Sequence, residues 1–203
     1  MSEINFNDKL YAKDLNKRIV VTPIISKSQI NNGVIDLRLG TEFILTRKTK
    51  FANLDIYEKS LEANIKKYQE KITINITNFL ILHPNQFILG STLEYVKLPN
   101  DIIGYLTGRS SWGRLGLVIA TATIVNPGFA GVITLELTNV GEVPISLYPG
   151  LRIAQLSFHQ CSFKSEEISL SQSKYFGSTG PSFSEVHRDR DIFLFEKDLP
   201  DKA

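Results

Sequence analysis

The stretch GRSSWGRLGL, residues 108–117, places two hydroxyls between two arginines and directly behind a glycine. A glycine-led turn can aim several backbone N–H groups into one concavity, which suits an anion. Ser110 and Ser111 would add hydroxyl donors, and the planar forks of Arg109 and Arg114 match phosphate oxygens. The Gly-Lys-Ser/Thr ending of a P-loop is absent, so on residue types alone a solvated polar turn fits at least as well as an anion cradle. A second candidate is Glu136 in GVITLELTN, residues 131–139. Strand alternation puts Val132, Thr134, Glu136 and Thr138 on one face and Ile133, Leu135 and Leu137 on the other, core-facing side. Glu136 is then either an exposed surface carboxylate or a general base at the mouth of a pocket, where partial burial would tune its proton affinity.

The third candidate is SKYFGSTGP, residues 173–181, which joins Lys174 to two aromatics and a Gly/Ser/Thr loop. That combination suits stacking on a base and contact with phosphates, and it equally suits a disordered terminus. His83, His159 and His187 are not at metal-ligand spacing with one another or with the one cysteine, Cys161. His83 precedes a proline turn and reads as structural. The single thiol excludes an intrachain disulfide and a Cys-rich zinc site. The His-x-Glu and Pro-Cys-x-x-Cys pattern of the zinc-dependent base deaminases is also missing.

These residues need elements to hold them, and the 203 residues suffice for one domain with a tail and a sizeable core. Hydrophobic content of 42% and charged content of 22% are those of a soluble globule. A formal charge of +2 argues against a general nucleic-acid binder. The charged N-terminus does not read as a signal peptide, and no apolar run reaches membrane-spanning length, so a cytoplasmic location without membrane contact is expected. Residues 5–20 are read as a short helix. GVIDLRLG (33–40) and TEFILT (41–46) read as strands with a tight bend between them. Residues 54–68 carry Leu54, Tyr57, Leu61, Ile65 and Tyr68 at helical spacing and are otherwise charged, so they read as a surface helix or an excursion packed on one face. KITINIT (71–77) alternates, with Ile72, Ile74 and Ile76 on one face. Beyond a Pro84–Asn85 turn come short β-branched runs cut by Asn-Pro-Gly, Val-Gly-Glu and Tyr-Pro-Gly, the pattern of an all-β sandwich or barrel. After about residue 170 the chain is rich in Ser, Gly and charge, and is expected to be mobile unless a ligand orders it.

Taken together and in order, GVIDLRLGTEF, LHPNQFILGSTLEYVKLP, GRSSWGRLGL, NPGFAGVITLELTNVGEVPISLYPGLRIAQLSF and SKYFGSTGP resemble the dCTP deaminases, which share a fold with the trimeric dUTPases. The likeness runs from about residue 33 to 181. It implies a mainly β, distorted jelly-roll barrel with short peripheral helices over residues 1–170, and a flexible tail, 171–203, that closes over the nucleotide. It also implies a homotrimer with sites between subunits, and zinc-independent hydrolysis of dCTP to dUTP and ammonia. By position, Glu136 falls on the general base, and Ser110 and Arg114 on the reaction centre. Arg109, Ser110 and Ser111 fall on phosphate binders and Phe129 on the aromatic beside the deoxyribose. Lys174 and Tyr175 fall on tail residues that hold the triphosphate, with Mg²⁺ carried by that triphosphate. Gln155, Phe176 and Ser178 complete the expected nucleotide contacts.

The chain also departs from the deaminase pattern. The run RLGLVIATATIVNPG lacks the usual histidine and is one residue short, and Asn126 stands where an aspartate reaches the sugar 3′-hydroxyl. Asn126 can still hydrogen-bond a hydroxyl but cannot act as a base. The FGSTG tail, with Ser178 in place of a glutamine, and the RIAQL run (152–156) resemble dUTPases. A bifunctional enzyme giving dUMP, a dUTP diphosphatase and a non-catalytic nucleotide binder therefore stand as alternatives.

Overall fold

Between residues 20 and 160, β-branched and aliphatic residues form short runs separated by Gly, Pro and Asn, and strands follow from that punctuation. The structure, a computed structural model, describes residues 18–31, 33–47, 53–58, 60–161 and 174–189. The strands are β1 (Val20–Thr22), β2 (Ile30–Asn31), β3 (Val34–Arg38), β4 (Glu42–Thr46), β5 (Gln69–Thr73), β6 (Leu80–Leu82), β7 (Phe87–Lys97), β8 (Ile102–Gly108), β9 (Leu117–Ile119), β10 (Ile124–Val125), β11 (Ala130–Asn139), β12 (Ile145–Leu147) and β13 (Arg152–Gln160). The α-helices among the described residues are short, α1 (Leu61–Tyr68) and α2 (Ser110–Gly113). The expected mainly β class is what the chain adopts.

The first sheet runs β5-β4-β7-β11-β9, with β1 also paired to β7. The second runs β10-β8-β13-β3-β2, and a small third sheet joins β12 to β6. Every one of these pairings is antiparallel. The core lies where the apolar faces meet: Leu135 and Leu137 from β11, Phe43 from β4 and Ile88 from β7, with Ile35 and Leu37 from β3, Leu106 from β8, and Leu156 and Phe158 from β13. Each such side chain contributes about 1.5–3 kcal/mol when fully buried, which fixes the register of both sheets and therefore what their outer faces present.

The strands expected at 33–46 form, and they bend at Gly40, whose N–H donates to the Ser91 carbonyl at 2.7 Å. The Pro84–Asn85 turn forms with Asn85 at φ 59°, closed by Gln86 N–H on the His83 carbonyl at 3.1 Å. Three expectations need correction. The helix expected at 54–68 is confined to 61–68; Leu54 is 44% exposed, because Asp55 accepts the Tyr57 N–H at 2.9 Å and offers the backbone a turn instead. The strand at 71–77 stops at Thr73. Ile72 and Ile74 pack on the core, but Ile76 is 62% exposed, the last rung being Ile74 N–H to the Thr41 carbonyl at 2.8 Å. Of the helix expected at 5–20, residues 5–17 lie outside the described residues, and Val20–Thr22 is strand paired to Tyr95–Lys97. Among the described residues no helix is long and apolar enough to cross a membrane.

Candidate functional site

The residues of the NPGF turn shape one wall of a cleft beside β11. Pro127 pre-sets its φ and Gly128 takes φ 76°, so Phe129 N–H closes back on the Asn126 carbonyl at 3.1 Å, a type II turn in residue choice and geometry. Leu98 N–H on the Phe129 carbonyl, at 2.8 Å, ties the turn to the end of β7. Asn126 is left exposed at the rim, and Phe129 is half-buried against the core. Both line a cleft of about 870 Å³, with Val132, Thr134 and Glu136 of β11 on its floor. That volume is ordinary for a small-molecule site.

Glu136 occupies the face that alternation predicts, opposite Leu135 and Leu137, and is half-buried. Thr121 holds its backbone: the Thr121 hydroxyl accepts the Glu136 N–H at 2.7 Å and donates to the Thr134 carbonyl at 3.4 Å. Ala120 N–H meets the Glu136 carbonyl at 2.8 Å. The carboxylate itself has no hydrogen-bond or ion-pair partner among the described residues. A fixed backbone and an unengaged carboxylate in a cleft suit a group that must take up a proton from an incoming water.

The tail forms the other wall. Gly177 N–H donates to the Ala130 carbonyl at 2.7 Å, Val132 N–H to the Ser178 carbonyl at 2.9 Å, and the Ser178 hydroxyl to the Val132 carbonyl at 2.9 Å. Ser182 N–H reaches the Thr134 hydroxyl at 3.2 Å. Gly131 makes this approach possible: at φ 153°, a Cβ there would stand 2.8 Å from Ser178 Oγ and 3.1 Å from its backbone nitrogen. Lys174, Tyr175 and Ser178 thereby line the cleft. Lys174 is paired with Asp189, and Tyr175 Oη accepts the Glu185 N–H at 3.3 Å. Phe176 is exposed and does not line the cleft.

The GRSSWGR stretch forms a separate cluster at the end of β8. Ser110, Ser111 and Arg114 are exposed on and just after α2, and Arg109 is half-buried. Arg109 Nε lies 3.7 Å from Asp36 Oδ1, Arg152 Nη1 3.1 Å from Asp36 Oδ2, and Gln155 donates Nε2 to Asp36 Oδ1 at 2.9 Å. Two guanidiniums share one carboxylate, which leaves this surface net positive. Behind it lies fully buried Glu94, bound by Gln29 Nε2 and by the Arg38 N–H, both at 2.8 Å. Burial raises the Glu94 carboxyl above the usual range, against the pull of those donors.

The structure therefore gathers Glu136, Asn126, Phe129, Lys174, Tyr175 and Ser178 at one cleft, while Arg109, Ser110, Ser111, Arg114 and Gln155 do not line it. Reading the sequence missed Thr121, Asp36, Arg152 and Glu94. A charged residue amid the apolar run GVIDLRLG was the available signal for Asp36. Among the described residues no group of three or more His, Cys, Asp or Glu stands together as metal ligands would.

Comparison with known proteins identifies the family. A family model described as dCTP deaminase-like matches residues 6–161. A protein of Methanosphaera stadtmanae named dCTP deaminase, dUMP-forming, is 39% identical over 191 residues, which is 92% of this chain and 95% of that one. A protein of Haloarcula marismortui named dCTP deaminase is 40% identical over 178 residues, 86% of this chain and 90% of that one. Among solved structures, the 2′-deoxycytidine 5′-triphosphate deaminase of Agrobacterium tumefaciens shares the fold with a TM-score of 0.56 at 19% identity; the match spans 75% of this chain and 46% of that one. The chain belongs to the dCTP deaminase-like family.

Proposed function

We propose that this protein hydrolyses the 4-amino group of dCTP, with Glu136 as general base, giving dUTP and ammonia. The observation that carries the reading is the half-buried Glu136 carboxylate, without a side-chain partner among the described residues, on the floor of a cleft walled by Phe129, Asn126 and the tail. Glu136 takes one proton from water as the oxygen adds to C4 of cytosine, and delivers it to N3 as the C4–N3 double-bond pair moves onto that nitrogen. The carboxylate then takes the proton of the new C4 hydroxyl and passes it to the amino group, so that the C4 carbonyl forms as the C4–N bond breaks and ammonia leaves. The reading uses no zinc, in keeping with a sequence that lacks the His-x-Glu and Pro-Cys-x-x-Cys ligands of the zinc deaminases. Phe129 packs against the deoxyribose, and Asn126 hydrogen-bonds its 3′-hydroxyl.

Arg109, Ser110 and Ser111 hold the triphosphate, and Ser110 and Arg114 line the reaction centre, with Gln155 beside them. Because this cluster does not line the Glu136 cleft of its own chain, the complete site forms between subunits of a homotrimer, the cradle of one facing the cleft of the next. Lys174, Tyr175, Phe176 and Ser178 close over the nucleotide, Lys174 leaving Asp189 for the triphosphate. The cradle offers guanidinium and hydroxyl groups, and Asp36 is occupied by arginine and glutamine, so this donor set fits phosphate oxygens. Mg²⁺ would arrive on the triphosphate and offset its charge.

A second reading, hydrolysis of dCTP through to dUMP, is favoured by the dUMP-forming name of the Methanosphaera stadtmanae relative and by the FGSTG tail. Incubation of the purified protein with dCTP or dUTP plus Mg²⁺, with products separated by ion exchange, tests both. dUTP from dCTP supports the deaminase and dUMP with pyrophosphate the bifunctional enzyme. Neither nucleotide changing would overturn both readings.

A further inference from the structure

Asp36 sits mid-strand in β3, on the face opposite Ile35 and Leu37, yet its side chain is only 1% exposed. Its cross-strand neighbour Gln155 donates to Oδ1 at 2.9 Å, Arg152 donates to Oδ2 at 3.1 Å, and Arg109 Nε approaches Oδ1 at 3.7 Å. Arg152 is held at a second point by the Ser28 carbonyl, at 2.7 Å. Arg109 Nη1 reaches the Arg152 carbonyl at 3.3 Å, and Trp112 Nε1 binds the same carbonyl at 2.9 Å. One buried carboxylate thus organises two arginines at the base of α2. Their side chains remain 31% and 29% exposed.

A buried ion pair is a weak source of net stability, because desolvation offsets much of the attraction. What it supplies here is direction. A guanidinium already pinned through one edge loses little further freedom when its outer edge meets an anion. One carboxylate also leaves one of the two positive charges uncompensated and turned toward solvent.

We propose that Asp36 is a positioning residue for the phosphate cradle, orienting Arg109 and recruiting Arg152 as a further triphosphate contact. This rests on the reading of residues 108–114 as that cradle. Asp36 touches no reacting atom and acts through the two arginines.

Asp36→Asn separates orientation from charge. The variant removes a negative charge beside two cations, so electrostatics alone would tighten anion binding. Positioning predicts the opposite, since an amide keeps one acceptor and turns an N–H₂ against a guanidinium. Calorimetry on the full chain with inorganic tripolyphosphate should give binding about tenfold weaker than in the unaltered protein, with KM for dCTP rising in step and kcat within about threefold. Equal or tighter tripolyphosphate binding overturns the proposal. Should Asp36→Asn fail to fold, Arg152→Gln provides the reading: weakened tripolyphosphate binding supports the role and unchanged binding overturns it. An unaltered protein that binds tripolyphosphate but never turns over dCTP overturns the proposed function and leaves the positioning role standing. Normal dCTP turnover with unweakened tripolyphosphate binding in Asp36→Asn overturns the positioning role alone.

Discussion

At the scale of single residues, two carboxylates in one chain are held in opposite circumstances. Glu136 faces a cleft with its side chain unengaged among the described residues, while Glu94 is sealed in the interior among amide and backbone donors. Because burial raises the Glu94 carboxyl in the folded state, Glu94 contributes most below the ordinary glutamate range, and its contribution falls as pH rises through the folded value. Thermal melts of Glu94→Gln against the unaltered protein, from pH 4 upward (about the ordinary glutamate range), should show the difference moving in the variant's favour as pH rises. A shift in the other direction would mean that the donors outweigh burial. Asn126 sits at the cleft rim. Asn126→Ala should raise KM for dCTP about five- to tenfold, the weight of one lost hydrogen bond, with kcat little changed; steady-state kinetics reads both.

At the scale of elements, the strand pattern was legible wherever one face meets the core and the other does not. β11 is the clearest case: its alternation placed Glu136 correctly from residue types alone. β3 is the opposite case. Ile35, Asp36 and Leu37 are all buried, so alternation cannot reveal that Asp36 is covered by side chains arriving from β13 and the end of β8. Thr121 was invisible for a related reason, since its role is a hydroxyl bond to a backbone fifteen residues away in sequence. Leu54 and Tyr57 had helical spacing, but the local hydrogen bond that the Asp55 carboxylate accepts from the Tyr57 N–H won over periodicity. The tail's seat on β11 depends on Gly131, where positive φ and the close approach of Ser178 both exclude a side chain. Gly131→Ala should displace the tail, speeding limited tryptic cleavage at Lys174 and raising KM for dCTP severalfold. Unchanged cleavage and KM would show that the tail contact is dispensable.

At the scale of the whole molecule, the proposed base and the strands behind the proposed phosphate cradle stand on different sheets. Glu136 belongs to the first sheet; Asp36, Gln155 and the strand leading into Arg109 belong to the second. Sequence order alone gave no sign of this division, because spacing along a chain does not report which surface a residue faces. If the site is shared between subunits, two inactive variants, Glu136→Gln and Arg114→Ala, should recover part of the activity when unfolded and refolded together, since some mixed trimers would bring an intact cleft to an intact cradle. No recovery, despite mixed trimers forming, would place both residues in a site made by one chain.

If Glu136 supplies the base, Glu136→Gln should separate catalysis from binding, because the amide keeps the shape and removes the proton acceptor. Turnover of saturating dCTP should fall by a factor on the order of 10²–10⁴, the usual weight of a general base, while calorimetry gives a Kd for dCTP within a few-fold of the unaltered protein. Turnover near that of the unaltered protein would contradict the claim and move the chemistry away from this carboxylate.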